Sequence, residues 1–239
     1  MSLAAEQARG GYCVSHPLDR PVWNALTGRQ ARLAIASGKA VRIDPAYGPF
    51  AVAQDMGEEA QAALLATLRD PEDRIAVIER EPWPAPGGTR LAGEGELVQM
   101  VFEGVMPDAD DPRIVLLGEG DAGEMAGLAG GTEPGPWSSM THRYGDYYGI
   151  RIGGRLAAMA GERMLLPGLA EVSGVCAWPE YRGQGLATLL MHRVMRGFAA
   201  RGDRPFLHCY AWNTGAIRLY EALGFRLRAR MALTILALA

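Results

Sequence analysis

The sequence predicts an α/β (α+β) protein with a mixed sheet at its centre. Strand-like and helix-like segments alternate through the second half of the chain, which is the pattern of a mixed α/β sheet. Hydrophobic residues make up 49% of the 239 residues and charged residues 21%, so a sizeable core can form and general disorder is excluded. No apolar run approaches the ~20 residues needed to cross a bilayer, so we expect no membrane association.

Charge is unevenly distributed along the chain. The formal net charge is −3, but residues 1–110 carry 16 acids and 10 bases, whereas residues 111–239 carry 11 acids and 14 bases. The mildly basic second half suits an anionic ligand. It lacks the strong basic stripe of a nucleic-acid-binding protein, so we expect no nucleic-acid partner.

Cysteine usage and the N-terminus are typical of a cytoplasmic protein. Cys13, Cys176 and Cys209 are odd in number and form no Cys-x-x-Cys pair, so neither a disulfide framework nor a structural zinc site is indicated. Residues 1–12 lack the apolar core of a signal peptide. The histidines show no metal-ligand spacing, and we expect no bound metal.

The first half of the chain has few structural signals. Residues 23–36 and 58–68 are predicted as helices, the latter from apolar positions at helical spacing, and residues 97–102 as a strand. The proline- and glycine-rich residues 81–96 and the acidic, proline-bounded residues 106–112 are predicted as linkers.

The second half begins with a strand, a helix and a hairpin. The apolar residues 113–117 are predicted as a strand, and residues 121–128 as a helix with an acid in its first turn, where the helix dipole favours it. Residues 147–152 and 155–164 are predicted as a β-hairpin, because the Gly153-Gly154 pair between them is typical of a tight turn.

Five further elements complete the second half. Residues 171–177 and 205–210 are predicted as strands, and residues 186–200 as an amphipathic helix with its apolar residues on one side. A helix over 213–223 begins at an asparagine N-cap and ends before a glycine, the residue favoured there. Residues 225–236 fit one long strand better than two.

A glycine-containing turn joins the predicted strand 171–177 to the helix 186–200. It reads Arg182-Gly183-Gln184-Gly185-Leu186-Ala187. The first N–H groups of a helix have no intrahelical partners and, together with the helix dipole, form an anion site. Glycine lets phosphate oxygens approach the backbone, and the arginine adds a positive charge. The turn therefore predicts a phosphate-binding loop; the alternative is a tight turn with no ligand.

Three kinds of phosphate loop compete for this turn. A Walker loop needs Gly-Lys-Ser/Thr, which is missing here, and a dinucleotide fingerprint needs a third glycine or alanine where this chain has Thr188. The spacing Arg182-x-x-Gly185-x-Ala187 resembles the acetyl-coenzyme A loop of the GNAT superfamily of N-acetyltransferases, Arg/Gln-x-x-Gly-x-Gly/Ala, at every fixed position.

A second segment strengthens the resemblance. Asn213, Tyr220 and the pair Gly224-Phe225 lie at the spacing of the last helix of that superfamily. The two segments are in the right order, and the resemblance covers residues 112–236. It implies the acyl-CoA N-acyltransferase fold, with a mainly antiparallel sheet that is splayed open between strands 171–177 and 205–210.

The resemblance also implies how acetyl-CoA would bind. The pantetheine arm would lie in the split and pair with the backbone of Val175 and Ala177, as a peptide pairs with a sheet edge. Asn213 is first an N-cap, and a second contact to the cofactor is compatible with that role. The pyrophosphate would be held by the loop residues Arg182, Gly183, Gln184, Gly185, Leu186 and Ala187.

Two residues are candidates for catalysis. In the family, the tyrosine at the place of Tyr220 lies near the thioester sulfur and acts as general acid; a core position is the alternative. Glu171 matches the place of the catalytic base of several members, with Glu162 a weaker candidate. A structural ion pair of Glu171 with Arg163 or Arg155 is the competing interpretation, and a water chain is a further route for the proton.

Strand alternation predicts which side chains share a face of strand 171–177. It places Glu171, Ser173, Val175 and Ala177 on one face and Cys176 on the other. Cys176 is therefore a poor candidate for a nucleophile. We expect direct attack of the acceptor on the thioester, because no nucleophile–base pair is evident.

The acceptor site is expected in loops. Residues 132–137 are the first candidate, with Trp137 as a platform. His142, Tyr147 and Tyr148 line the same cleft or pack in the core.

One departure from the family concerns the C-terminus. Members usually end with two strands, whereas only fourteen residues follow Phe225. Residues 97–102 are the obvious supplier of the missing strand. The expected division is an N-terminal α/β region of residues 1–106, which is alternatively a degenerate copy of the fold, and an acetyltransferase domain of residues 107–239.

The predicted function is transfer of an acetyl group from acetyl-CoA to a primary amine of a small molecule, amino acid or peptide. The alternatives are a non-catalytic module of the same fold that binds acyl-CoA, and a nucleotide-binding protein. The sequence is compatible with a monomer or a homodimer.

Overall fold

The computed structural model describes residues 16–106 and 111–239. Cys13 and residues 107–110 of the predicted second linker lie outside the described residues. The helices are α1 (Pro21–Leu26), α2 (Glu58–Leu65), α3 (Ala122–Thr132), α4 (Leu186–Ala200) and α5 (Thr214–Ala222). The strands are β1 (Ala34–Ser37), β2 (Ala40–Ile43), β3 (Ala51–Ala53), β4 (Ile75–Glu79), β5 (Thr89–Phe102), β6 (Ile114–Leu117), β7 (Tyr147–Ile152), β8 (Arg155–Leu166), β9 (Leu169–Ala177), β10 (Arg204–Tyr210) and β11 (Phe225–Leu238).

Eight of these strands form one sheet in the order β4-β11-β5-β10-β9-β8-β7-β6, and β1-β2-β3 form a small antiparallel sheet. Neighbours in the large sheet are antiparallel except β9 and β10, which run parallel. Helix α4 packs its apolar side on one face, and α1 and α3 pack on the other. The predicted mixed, mainly antiparallel sheet flanked by helices is confirmed.

Strand β5 belongs to the expected N-terminal region but lies between β10 and β11 of the expected C-terminal domain. Residues 97–101 pair with β10, and β5 pairs with β11 along almost its whole length. The first half of the chain therefore supplies the strand that the second half lacks. The predicted linker 81–96 is wrong in its second part, because Gly93 and Gly95 lie in β5 and face Ile235 and Leu233 of β11. As predicted, the chain ends in one long strand.

The predicted helix over residues 23–36 is also wrong. Helix α1 ends at Leu26, and residues 34–37 form β1 instead. Gln30 is only 1% exposed; its amide donates to the Arg163 carbonyl oxygen at 2.6 Å and accepts from Leu165 N at 3.1 Å. These tertiary hydrogen bonds fix the chain in a loop. Helix α2 also ends early, three residues before Leu68.

Strand β9 contains a bulge at Gly174. Between the pairs Met159–Cys176 and Gly161–Ser173, β9 advances by three residues and β8 by two. Gly174 has φ +62°, a conformation that suits glycine. One extra residue reverses which side chains face each side of the sheet from there on.

The bulge overturns the predicted alternation. Val175 and Ala177 pack toward the core that contains α4, on the face opposite to Glu171. Cys176 packs with the core that contains α3 and so shares a face with Glu171. The expectation that Cys176 lies opposite to Glu171 is therefore wrong, although its burial still makes it a poor nucleophile: desolvation raises the pKa of its thiol to about 11.

Candidate active site

A cavity of about 1170 Å³ opens where β9 and β10 separate. The two strands pair only through residues 169–171 and 204–206, and the split lies beyond these. This confirms the splayed sheet that the resemblance implies. The cavity is lined by the ends of both strands, by the start of α4, by residues of α5, and by side chains from the first half of the chain.

The loop before α4 presents free backbone donors to this cavity. Gly183 and Gly185 each have φ +75°, and no atom lies within 4 Å of the place where a Cβ would stand on either. Gly185 is the N-cap of the fifteen-residue α4 and supplies no side-chain cap, so the first N–H groups of the helix point outward unpaired. Such a cradle fits a pyrophosphate group.

The side chain of Arg182 lies beside this cradle. Its Nε donates to the Ala177 carbonyl oxygen at 3.2 Å, which holds the exposed guanidinium against the end of β9. Gln184 is exposed and makes one long contact, 3.4 Å, from Nε2 to the Glu180 carbonyl oxygen. All of the predicted loop residues except Gln184 line the cavity, as do Val175 and Ala177.

Helix α5 contributes Asn213 and Tyr220. The Asn213 side chain caps the helix, since its Oδ1 accepts from Ala216 N at 3.1 Å, as predicted. Tyr220 lines the cavity, and its hydroxyl makes no hydrogen bond with any of the described residues. Burial raises the pKa of this hydroxyl well above 10, with smaller contributions from the nearby Cys209 and Cys176. It therefore stays protonated at neutral pH, as a proton donor must.

Glu171 is held in a buried ion pair. Its carboxylate is fully buried and accepts from Arg163 Nε and Nη2 at 2.8 and 2.7 Å, from His208 Nδ1 at 2.7 Å and from Met164 N at 3.3 Å. Burial opposes ionisation, but the charge and hydrogen bonds of Arg163 and the bond from His208 outweigh it and lower the pKa of Glu171 to about 2.

This geometry favours the structural interpretation of Glu171. Of the two partners predicted for it, Arg163 is the one found, whereas Arg155 pairs with Glu180 at 2.7 Å. The Glu171 side chain does not line the cavity. Its role as general base stays a prediction that the geometry does not favour. Glu162 is also buried, pairs with Arg201 at 2.9 Å, and lies outside the cavity lining.

His208 connects Glu171 to the first half of the chain, a link that the sequence did not reveal. Arg228 Nη1 donates to Gln99 Oε1 at 2.9 Å, so Gln99 Nε2 faces the Leu18 carbonyl oxygen at 2.9 Å and His208 Nε2 at 3.1 Å. An amide nitrogen only donates, so His208 Nε2 accepts and its proton is assigned to Nδ1, which donates to Glu171. His208 therefore positions Glu171, and its second nitrogen is occupied.

Three side chains from the first half of the chain also line the cavity. Phe50, Ile78 and Leu97 line it together with Leu233 of β11. The Arg163 guanidinium lies over the Phe50 ring, 5.0 Å from its centroid, and also lines the cavity.

Residues 132–136 of the predicted acceptor loop line the same cavity. Glu133 is the one non-glycine residue with a positive φ among residues 16–106 and 111–239, at +49°. It is exposed and closes α3, with its N–H donating to the Ala129 carbonyl oxygen at 2.8 Å. A left-handed glutamate is strained, and such strain often marks functional positions.

The aromatic residues predicted for the acceptor site contact other side chains of the protein and do not line the cavity. Trp137 stands edge-on to Tyr147 with the ring centroids 5.5 Å apart, and neither lines the cavity. Tyr148 is buried with its hydroxyl 3.2 Å from Asp146, and His142 contacts Glu119 at 3.0 Å.

Among residues 16–106 and 111–239, no three His, Cys, Asp or Glu side chains are grouped so as to hold a metal ion. No helix in the same ranges is long and apolar enough to span a membrane.

Comparison with known proteins places these features in context. The family model for FR47-like proteins matches residues 147–233. A crystal structure of a protein assigned to the acetyltransferases of the GNAT family, from Novosphingobium aromaticivorans, is 57% identical, covers 94% of this chain and 99% of its own, and superposes with a TM-score of 0.89. A search among curated proteins found no match.

More distant structures share the fold alone. A GCN5-related N-acetyltransferase from Kribbella flavida is 18% identical, covers 90% of this chain and 94% of its own, and has a TM-score of 0.60. A GCN5-related N-acetyltransferase-like protein from Streptococcus suis is 15% identical, covers 91% and 92%, and has a TM-score of 0.57.

Proposed function

This chain belongs to the GNAT family of acetyltransferases, and from that premise we propose that it transfers an acetyl group from acetyl-CoA to a primary amine of a small molecule, amino acid or peptide. The observation that carries the proposal is one cavity that joins three features. These are the free N–H groups before α4, the split between β9 and β10, and the hydroxyl of Tyr220.

The fit of the chain to acetyl-CoA rests on its own backbone. The cradle of Gly183 and Gly185 has the shape and polarity for the pyrophosphate, with Arg182 adding charge. The unpaired edges of β9 and β10 offer donors and acceptors to the amides of the pantetheine arm, next to Val175 and Ala177. When bound, acetyl-CoA supplies the thioester from which the acetyl group leaves.

The transfer requires that the amine lose a proton, that developing charge on oxygen be stabilised and that the departing sulfur gain a proton. Tyr220 is the proposed proton donor to the sulfur, since its hydroxyl is free and stays protonated. Glu171 is pinned out of the cavity, so we assign the removal of the amine proton to water in the cavity, the alternative route that the sequence left open.

The first half of the chain has a proposed role in the same reaction. Phe50, Ile78 and Leu97 stand on the cavity wall that Arg163 shares, away from the phosphate loop. This wall is the proposed acceptor site.

A thiol-release assay with acetyl-CoA and a panel of amines tests the proposal. Tyr220→Phe should reduce kcat by ~10²-fold or more while the Kd for acetyl-CoA changes little, because one proton transfer typically contributes 10²–10⁴-fold. Tyr148→Phe is the matched control, since it removes a hydroxyl outside the cavity and should leave kcat unchanged.

Two outcomes would contradict the proposal. Unchanged turnover of Tyr220→Phe would refute the role of the hydroxyl. Tight acetyl-CoA binding without thiol release for any amine would support a non-catalytic acyl-CoA-binding module instead.

A further inference from the structure

We propose that the acceptor carries a neutral carbonyl oxygen close to its amine, as in the N-terminal residue of a peptide or an amino-acid amide, and that Arg163 Nη1 binds this oxygen. The proposal rests on the proposed function, because it names the substrate class of the same cavity. It starts from a donor that the protein itself leaves unused.

The three nitrogens of the Arg163 guanidinium differ in their hydrogen bonds. Nε and Nη2 are held by Glu171 at 2.8 and 2.7 Å, which fixes the plane and direction of the group. Nη1 has no hydrogen-bond partner within residues 16–106 and 111–239. Arg163 is 9% exposed, and the exposed part lines the cavity.

A guanidinium nitrogen that faces a cavity without a protein partner is a charged donor for the acceptor atom of a ligand, and hydrogen bonds to charged groups are stronger than those between neutral groups. The surrounding wall offers none: Phe50 lies under the guanidinium, and the Cβ position of Gly135 is 3.9 Å from Nη1. The absence of a side chain at Gly135 leaves room next to Nη1 for a ligand atom.

Arg163 also lies close to the point where the reaction is expected. Its partner Glu171 pairs with Phe206 at the last position where β9 and β10 are joined. Nη1 is therefore near the closed end of the split, which the pantetheine arm would approach. An oxygen bound there belongs to the part of the acceptor that is near its amine.

Charge balance decides which kind of oxygen fits. The positive charge of Arg163 is already matched by Glu171, and the tautomer assigned to His208 is neutral. A carboxylate at Nη1 would add an unmatched negative charge a few ångströms from Glu171, whereas a carbonyl oxygen adds none. The aliphatic side chains Ile78, Leu97 and Leu233 on the same wall favour an apolar side chain on the acceptor.

Three acceptors that share the side chain of leucine test the proposal on the wild-type protein: leucinamide, leucine and 3-methylbutylamine, which lacks the carbonyl carbon. In the thiol-release assay, kcat/KM expressed per concentration of unprotonated amine, which corrects for the weaker basicity of an α-amino amide, should be higher for leucinamide than for 3-methylbutylamine by ~10-fold or more, the factor expected for a hydrogen bond to a charged group. Leucine should be a poorer acceptor than leucinamide. Equal kcat/KM for leucinamide and 3-methylbutylamine would overturn the proposal, and so would leucine as the best of the three.

The variant Arg163→Lys adds a readout that a merely structural role would not move. Lysine can keep the ion pair with Glu171 but has no second nitrogen to offer. The ratio of kcat/KM between leucinamide and 3-methylbutylamine should therefore fall toward one. A variant that loses activity equally with both acceptors, and keeps the ratio, contradicts the assignment.

Thermal stabilisation separates this inference from the proposed function. In the presence of coenzyme A, leucinamide should raise the Tm of the wild-type protein more than 3-methylbutylamine does at the same concentration. That preference without any thiol release would support the carbonyl site and refute acetyl transfer to these amines. Thiol release without the preference would refute the carbonyl site alone.

Discussion

Replacing Glu171 by glutamine distinguishes a structural ion pair from a catalytic base. The substitution keeps the shape of the side chain and removes the charge that Arg163 and His208 surround. The pKa of Glu171 is lowered from 4.5 to about 2 by these partners, against the opposing effect of burial. Because 1.36 kcal/mol corresponds to one pH unit, the charged form contributes about 3 kcal/mol to folding.

The loss expected for a buried ion pair in general is of similar size. Removing one partner of a buried ion pair typically costs ~3–5 kcal/mol, since the other charge is left buried and unpaired. We therefore expect Glu171→Gln to be less stable than the wild type by about 3 kcal/mol near neutral pH. Equilibrium urea unfolding at constant temperature measures this difference.

The pH dependence of the difference has a definite sign. The folded pKa lies below the unfolded one, so the contribution of Glu171 is fully present above about pH 4.5 and is lost as the pH falls toward about 2. The difference in free energy of unfolding between the wild type and Glu171→Gln should therefore decrease as the pH falls over that range. Glu162→Gln is the matched control: burial raises the pKa of Glu162, and its partner Arg201 is partly exposed, so the substitution leaves no buried charge unpaired and should destabilise the protein much less than Glu171→Gln does.

A different result would restore the catalytic interpretation. If Glu171→Gln were as stable as the wild type while kcat fell by ~10²-fold or more with loss of the basic-group limb of the pH–rate profile, Glu171 would be the base. The reasoning from its burial and hydrogen bonds would then be refuted.

Two further substitutions test the loops around the cavity. Gly185→Ala puts a side chain on a residue with φ +75°, which should cost roughly 1–2 kcal/mol of stability and weaken acetyl-CoA binding by ~10-fold or more in calorimetry. Gly202→Ala, at φ +76° beyond the end of α4, is the control and should cost the same stability with no change in binding; equal binding for both variants would contradict the pyrophosphate cradle. Glu133→Gly should raise stability by roughly 1–2 kcal/mol, because it relieves a left-handed conformation, and should raise KM for cationic amines by removing an acid from the cavity wall. Glu133→Gln separates the two effects, since it removes the charge and keeps the strain; an unchanged KM in both variants would show that Glu133 has no part in acceptor binding.

The elements that were predicted correctly are those with local signals. Helix α4 begins and ends where its apolar spacing indicated, and the Gly153-Gly154 turn joins β7 and β8 as expected. Asn213 caps α5, since its Oδ1 accepts a hydrogen bond from the backbone N–H of Ala216, three residues further along the chain. Each of these features is encoded within a few neighbouring residues, so the sequence is sufficient to find it.

The errors come from interactions between distant segments. The predicted helix 23–36 is interrupted before Gln30, because the side-chain amide of Gln30 forms hydrogen bonds with the backbone of residues 163 and 165. The faces of β9 are reversed after Gly174, where the would-be Cβ position is 2.9 Å from the ring of Tyr147. A lone glycine in a strand suggests a bulge, but which register results depends on the neighbouring strands, and periodicity alone does not contain that information.

The same distinction explains why a sequence motif can describe the proposed cofactor site but not the proposed acceptor wall. The loop residues and Tyr220 lie within one continuous stretch of the second half of the chain, so a motif can describe them. The acceptor wall combines Phe50, Ile78 and Leu97 with Arg163, and these meet only after β5 has inserted between β10 and β11.

The insertion of β5 also makes the two halves of the chain depend on each other. Without β5, the facing edges of β10 and β11 would each carry a row of unpaired N–H and C=O groups. The network from Arg228 through Gln99 to His208 would lose its central member, and Glu171 would lose the orientation of one of its donors. The first half therefore acts on the cavity in two ways: it supplies the apolar side chains Phe50, Ile78 and Leu97, and through Gln99 it orients the partners of the ion pair that holds Arg163 at the proposed acceptor site.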